Sequence, residues 1–267
     1  MRGPRLSRLP LLAAAAIAAF RITAAQAGAW LMPPGEGQVI VYSAFSDSNR
    51  FFDEQGRLRP LPSYKKFELG TYIEYGVTNW LTLVASPAYD RISNPPPGQS
   101  YNGVGESELA ARVGLFRSDN AVLSVQAGVR TPGASLADSL GPFAVHRTTS
   151  FDIRGMAGRN CVILGMEGFA EAQLGYRFYT GGQPGEWRID LTAGVRPAPR
   201  LLLMLQGFIS ITNGSAQFGH TSWTKLLPSA VFDLAPQWSL QIGGFMTVAG
   251  RNAGRELGPI LGLWYRF

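Results

Sequence analysis

Cysteine is almost missing from this chain: Cys161 is the only one in 267 residues, so no internal disulfide framework can hold the fold. It lies too far from the amino terminus to be a lipoprotein anchor and reads as a buried or turn thiol. There are only two histidines, His146 and His220, and no cluster of metal-ligand residues, so neither a metal nor a cofactor is expected. Charged residues make up only 16% of the chain. Long hydrophobic runs are missing as well. Beyond the amino-terminal segment the longest purely aliphatic stretch is Leu201 to Leu205, whereas a membrane helix needs about 20 apolar residues. Nucleotide motifs are also absent, because Gly103-Val104-Gly105 is followed by Glu108 where a dinucleotide fingerprint has its third glycine. Those glycines read as the opening of a strand.

What is present begins with an address. Arg2, Arg5 and Arg8 precede an apolar stretch from Leu9 to Phe20, and Ala25-Gln26-Ala27 has the small-x-small form of a signal-peptidase site. Residues 1–27 are therefore expected to be a cleavable signal peptide, and residues 28–267 the exported protein. Taking Arg2, Arg5, Arg8 and Arg21 from the 24 basic side chains leaves 20 against 18 acidic ones. No basic surface suited to nucleic acid remains.

The exported part alternates with period two. Trp187, Ile189, Leu191, Ala193 and Val195 are interleaved with Arg188, Asp190, Thr192, Gly194 and Arg196. Phe67, Leu69, Thr71, Ile73 and Tyr75 alternate with Lys66, Glu68, Gly70, Tyr72 and Glu74, and similar segments recur around Leu109, Leu123, Leu174 and Ile242. An extended segment with this pattern has one apolar and one polar face. Several of the runs reach the roughly 9 to 11 residues that a tilted strand needs to cross a bilayer.

Connections alternate in length. The short ones are Gly76 to Asn79, Arg117 to Asn120, Gly158 to Asn160, Pro197 to Arg200 and Leu234 to Gln237. The long ones run from Ser46 to Ser63, Asp90 to Gly103, Pro132 to Thr149, Thr180 to Glu186, Asn213 to Ser222 and Gly250 to Glu256. Short periplasmic turns and long external loops are the habit of outer-membrane barrels. The expected fold is all-β: a transmembrane antiparallel up-and-down β-barrel of about twelve strands from near Gln38 to Phe267. It is placed in the outer membrane of a Gram-negative cell. Strands near Gln38 to Phe45 and Trp223 to Asp233 carry the weakest signal, the second because Pro228 interrupts it.

Two sets of residues then stand out. Leu263, Tyr265 and the terminal Phe267 share one face of the last strand and look like the signal read by the barrel assembly machinery. Glu74, Glu106, Glu108, Arg112, Arg130, Asp152, Arg154, Glu171, Arg177, Arg188, Asp190 and Arg196 are expected to project into the lumen. Charges of both signs there either line a solute path and tune its selectivity, or pair across the interior and partly plug it. No catalytic set is expected, although His220-Thr221-Ser222 is similar to the His-x-Ser of outer-membrane phospholipase A. That similarity leaves a lipid esterase at the rim as an alternative, and an adhesive or structural barrel is a third. The sequence around the pair does not otherwise match that family.

Glu74-Tyr75-Gly76-Val77-Thr78-Asn79-Trp80-Leu81-Thr82-Leu83, the segment from Gly103 to Arg112, and Ala127 to Gly133 resemble the proteins of the MetA-pathway of phenol degradation family. The resemblance implies an outer-membrane protein that moves aromatic or other hydrophobic small molecules; the matching motifs concern turns and strand starts, and no binding residue is carried over. The expected activity is passive passage of small solutes, and the expected partners are the solute, outer-membrane lipid and lipopolysaccharide. Arg57, Arg59, Lys65 and Lys66 are candidates for contact with lipopolysaccharide phosphates.

Overall fold

The computed structural model describes residues 28–94, 100–133, 148–214 and 219–267. The expected signal peptide, His146 and much of the loop from Pro132 to Thr149 lie outside the described residues.

The strand segments are β1 Gly37–Phe52, β2 Leu58–Thr78, β3 Leu81–Ser86, β4 Ala88–Ser93, β5 Tyr101–Val104, β6 Ser107–Arg117, β7 Ala121–Thr131 and β8 Ser150–Ile163. They continue with β9 Met166–Tyr179, β10 Glu186–Ala198, β11 Leu201–Thr212, β12 Thr221–Asp233, β13 Trp238–Arg251, β14 Ala253–Gly254 and β15 Leu257–Arg266. Each pairs antiparallel with its neighbours, and β1 pairs both with β2 and with β15, from Gln38 opposite Arg266 to Asp47 opposite Leu257. The sheet is therefore closed. Closure leaves no backbone edge facing lipid, where an unpaired N–H or C=O would have no partner.

The fifteen segments make twelve wall strands, as expected. β3 and β4 are one strand broken at Pro87, which lacks an N–H, but whose carbonyl still accepts from Thr71 N at 2.9 Å. β5 and β6 are one strand broken at Gly105-Glu106, where Gly105 N donates to Ala88 O at 2.8 Å. Gly103 thus lies inside β5, opposite Asp90, and Gly105 at an interruption within the strand rather than at its start.

Alternation assigns the faces. Leu109, Leu115, Leu174, Phe178, Trp187, Leu191, Ile242, Leu261 and Leu263 are all exposed on the outer face. Aromatic groups gather at both rims, with Trp238, Tyr265 and Phe267 in contact at one and Tyr176, Phe178 and Trp187 at the other. Such girdles mark the membrane interfaces of barrels.

Two expected connections are corrected. Gly158 to Asn160 is no turn, because β8 continues to Ile163 and reverses at Leu164-Gly165. Both turn residues have positive φ, 52° and 78°, the primed hairpin geometry that matches strand twist. The first long loop is also shorter than expected: β1 and β2 stay paired up to Phe52 opposite Leu58. Above the membrane a hairpin needs no apolar face, so its strands carry no alternation to read. The two weakly marked strands are both present; Pro228 faces outward in β12, where its missing N–H interrupts only the ladder to β13.

Candidate functional site: the barrel lumen

The lumen is divided along its axis. At the rim that carries the short turns, the chain folds back into its own barrel before β1 begins. Pro33-Pro34-Gly35-Glu36 makes the reversal, with Gly35 at φ 81° and Glu36 N donating to Pro33 O at 3.0 Å. Proline followed by a left-handed glycine is what a type II turn requires. Residues 28–32 then run into the interior, where Ala29, Trp30 and Leu31 are buried.

This inserted segment is held by the wall through its backbone. Ala29 N donates to Glu171 Oε2 at 2.8 Å, and Ser124 Oγ donates to Ala29 O at 2.7 Å. Arg112 Nη1 donates to Trp30 O at 2.8 Å, and Met32 N donates to Thr82 Oγ1 at 2.9 Å. Its side chains join an apolar cluster with Ile40, Val122, Met156, Phe169, Leu202, Met204, Val231 and Trp264. The Trp30 ring meets Phe169 edge-on, with centroids 6.0 Å apart. Three glycines make room. A Cβ at Gly158 would strike the Trp30 ring, one at Gly114 would lie 2.9 Å from Leu31 Cδ1, and one at Gly76 would strike the backbone of Met32 and Pro33.

Above the apolar layer sits Arg112, 1% exposed, bonded to Glu74 at 2.7 Å, to Tyr72 OH at 3.0 Å and twice to Gln126 Oε1. Gln126 in turn donates to Glu108 Oε1 at 3.3 Å. Toward the long loops the ion pairs become a continuous network. Arg130 pairs with Glu106 at 2.7 Å and with Glu108. Arg177 reaches Asp152 at 3.4 Å, Glu186 at 3.1 Å and Glu106 at 3.6 Å. Arg154 bridges Asp152 at 2.7 Å and Asp190 at 3.1 Å.

On the opposite wall Lys66 joins Glu68 at 2.7 Å and Asp90 at 3.3 Å, and Lys225 joins Glu256 at 2.6 Å. Aromatic faces are interleaved with these charges. Arg188 lies 4.9 Å from the Trp223 ring centroid, and Lys225 lies 5.5 Å from Trp223 and 5.1 Å from Phe245. Tyr64 and Tyr101 pack on Ile92 in the same half. Arg130 Nε, Arg177 Nη2, Arg188 Nε and Asp190 Oδ1 are buried without a hydrogen-bond partner. Unpartnered buried polar atoms are usual places for water or a polar ligand; they are not confined to this half, since Gln38 Nε2, Glu74 Oε2 and two nitrogens of Arg266 are also without a partner.

The fold is that of outer-membrane β-barrels. No family model matches the sequence, and no curated protein does. Among solved structures, a COG4313 outer membrane channel from Pseudomonas putida F1 is similar over 90% of this chain and 98% of its own, with TM-score 0.69 and 16% identity. The NanC porin is similar over 85% and 98%, with TM-score 0.56 and 9% identity. The KdgM porin is similar over 86% and 99%, with TM-score 0.51 and 9% identity.

All twelve charged positions expected in the lumen lie on the inner face. They do not form one site: Glu74 and Arg112 belong to the layer above the inserted segment, Arg196 pairs with Asp233 at 2.9 Å near the short-turn rim, and the others form the upper network, except Glu171. Glu171 touches the inserted backbone. Lys66 faces inward and is paired, so it is no candidate for lipopolysaccharide, while Arg57 and Arg59 both bind Asp53 at the tip of the first hairpin. Cys161 is a half-buried strand residue rather than a turn thiol. The side chains of His220 and Ser222 share no hydrogen bond among the described contacts; His220 is exposed and its carbonyl accepts from Asn252 Nδ2 at 3.0 Å.

Sequence reasoning missed the inserted segment. The available signal was Ala29-Trp30-Leu31-Met32, an apolar run placed between the processing site and the first strand, followed by the turn-forming Pro34-Gly35. Gly76 and Gly158 were read as turn residues when they are clearances for it.

Proposed function

We propose that this protein is an outer-membrane channel for small solutes, taken up from the long-loop side and passed along a mixed-charge lumen that its own amino-terminal segment closes at the periplasmic rim. The division of the lumen carries this reading. A barrel meant only as an anchor or adhesin gains nothing from an upper chamber lined by aromatic faces and shared ion pairs, or from a stopper held by side chains rather than built into the wall.

The chemistry of the upper chamber favours aromatic or amphipathic solutes. Trp223, Phe245, Tyr64 and Tyr101 offer faces, and Arg188 and Lys225 offer charge beside them. The resemblance to the MetA-pathway of phenol degradation family points to the same solute class, while the fold shared with a COG4313 outer membrane channel supports the channel reading and names no solute. The outward apolar row of Leu263, Tyr265 and the terminal Phe267 fits recognition by the barrel assembly machinery, and the Arg57 and Arg59 tip fits the lipopolysaccharide layer.

Single-channel conductance in a planar bilayer tests the proposal, with small anions, cations and phenolic solutes added in turn. Discrete steps blocked by the aromatic solutes are expected. Neutralising Arg130 and Arg188 to Gln is expected to move the reversal potential toward cation preference. A folded protein that passes no current and binds no aromatic solute would overturn the reading.

A further inference from the structure

Of the buried acids among the described residues, Glu74, Asp90, Glu108, Asp152 and Glu186 each have a cation within 4.0 Å. Glu171 is the exception. It is 5% exposed, and its described partners are neutral donors: the Ala29 N–H at 2.8 Å and the Gln173 side-chain amide. A buried carboxylate without a counter-charge is costly. The group beside it is Gly28, itself buried, with φ 112°. A Cβ on Gly28 would strike both carboxylate oxygens of Glu171, so the α-carbon that carries the Gly28 nitrogen is packed against that carboxylate. Gly28 is also the residue that follows Ala25-Gln26-Ala27.

We infer that hydrolysis of the Ala27–Gly28 bond creates the missing cation: the α-ammonium of Gly28 pairs with Glu171 inside the barrel and latches the amino-terminal stopper. In this step water adds its hydroxyl to the Ala27 carbonyl and its proton to the Gly28 nitrogen, and the resulting amine, with an ordinary pKa of about 7.7 to 8.0, takes up a further proton at neutral pH. Before cleavage that nitrogen is a neutral amide, and among the described residues no cation lies within 4.0 Å of Glu171. The latch is thus formed only by the processed chain. It requires glycine at position 28 because any Cβ there would occupy the space of the Glu171 carboxylate. The inference rests on the stopper described above, and it adds a processing-dependent lock that the channel reading does not require.

Two measurements test it. Intact-mass analysis of protein purified from outer membranes should give a chain starting at Gly28; any other start overturns the inference. A membrane-impermeant amine-acylating reagent is then applied to the folded protein, and modification of the Gly28 amine is mapped by mass spectrometry with exposed Lys65 as the internal standard. The processed wild type is expected to react slowly at Gly28, and Glu171→Gln, which keeps the shape and the acceptor for Ala29 N–H, to react roughly tenfold or more faster. Equal rates overturn it. If Glu171→Gln does not fold, a refolded chain carrying one extra alanine before Gly28 moves the ammonium by one residue and must show the same acceleration at its new terminus. Acylation does not depend on conduction, so a barrel that passes no current can still confirm the latch, and a conducting barrel can still refute it.

Discussion

The two halves of the lumen solve the same problem, filling the inside of a twelve-stranded barrel, by opposite means. Eight strands can be filled by side chains and sixteen or more leave a water channel; twelve leaves space that must be occupied or wet. At the periplasmic end the space is taken by five residues of the chain itself, packed on apolar side chains and tied by backbone bonds to Glu171, Ser124, Arg112 and Thr82. At the extracellular end it is crossed by ion pairs whose members have several partners each, with polar atoms left over. Dry packing is specific and intolerant. Shared ion pairs can be rearranged one at a time, which suits the proposed passage of solutes.

The largest expected effect breaks the dry half. Arg112→Ala removes the one cation that pairs with buried Glu74 among the described residues and strands Trp30 O and Gln126, so a loss of about 3 to 5 kcal/mol is expected. Urea unfolding of the refolded barrel in lipid vesicles measures it. Arg188→Ala in the upper half loses a 3.5 Å ion pair to Glu186, which keeps Arg177, and a cation–π contact with Trp223, and should cost much less; equal losses would erase the distinction between the halves. A smaller effect is expected of Gly158→Val, whose side chain needs the space of the Trp30 ring: about 1 to 3 kcal/mol, with a higher open probability in single-channel records. Gly155 supplies the control. It lies on the lipid face of the same strand with nothing within 4 Å of an added Cβ, so Gly155→Ala should change stability by less than about 0.5 kcal/mol.

The same contrast explains what could be read in the sequence. The wall was legible because lipid imposes one rule on every strand: Trp187, Ile189 and Leu191 face out, and Arg188 and Asp190 face in. The charged lumen followed from that rule. Leu201 to Leu205 shows why it fails elsewhere, since Leu202 and Met204 face the apolar cluster around Trp30 while Leu203 and Leu205 face lipid, and a strand with two apolar faces shows no alternation. The stopper was illegible for a related reason. It has no period, and its clearances are glycines, which look the same whether they serve a turn, as Gly165 does, or a packed ring, as Gly158 does. Nothing local to Glu171 distinguishes it from Glu74, because what sets the two apart, the backbone of the inserted segment, lies far away in the sequence.

The smallest expected effect lies beyond both halves, at the tip of the first hairpin, where charge acts in full contact with water. Asp53 Oδ1 accepts from Arg57 N at 2.8 Å and Gln55 N at 3.0 Å, and its Oδ2 accepts from Arg59 Nε at 3.0 Å and Arg57 Nε at 3.2 Å. Desolvation pulls this carboxyl upward, but the Arg57 backbone N–H, the Arg59 hydrogen bond and the Arg57 charge outweigh it and hold it below its ordinary value. A folded-state pKa lowered in this way means that the ordering is complete above the ordinary carboxylate value of about 3.9 and is lost as pH falls through the lower, folded value. Amide hydrogen exchange, corrected for the intrinsic effect of pH, should therefore show Gln55 and Arg57 protected at neutral pH and released in acid. Asp53→Ala should show them released at every pH, with the unfolding midpoint of the barrel unmoved. If Asp53→Ala instead lowers that midpoint, the hairpin tip is coupled to the lumen network, and the boundary between the wet half and the solvent beyond it is misplaced.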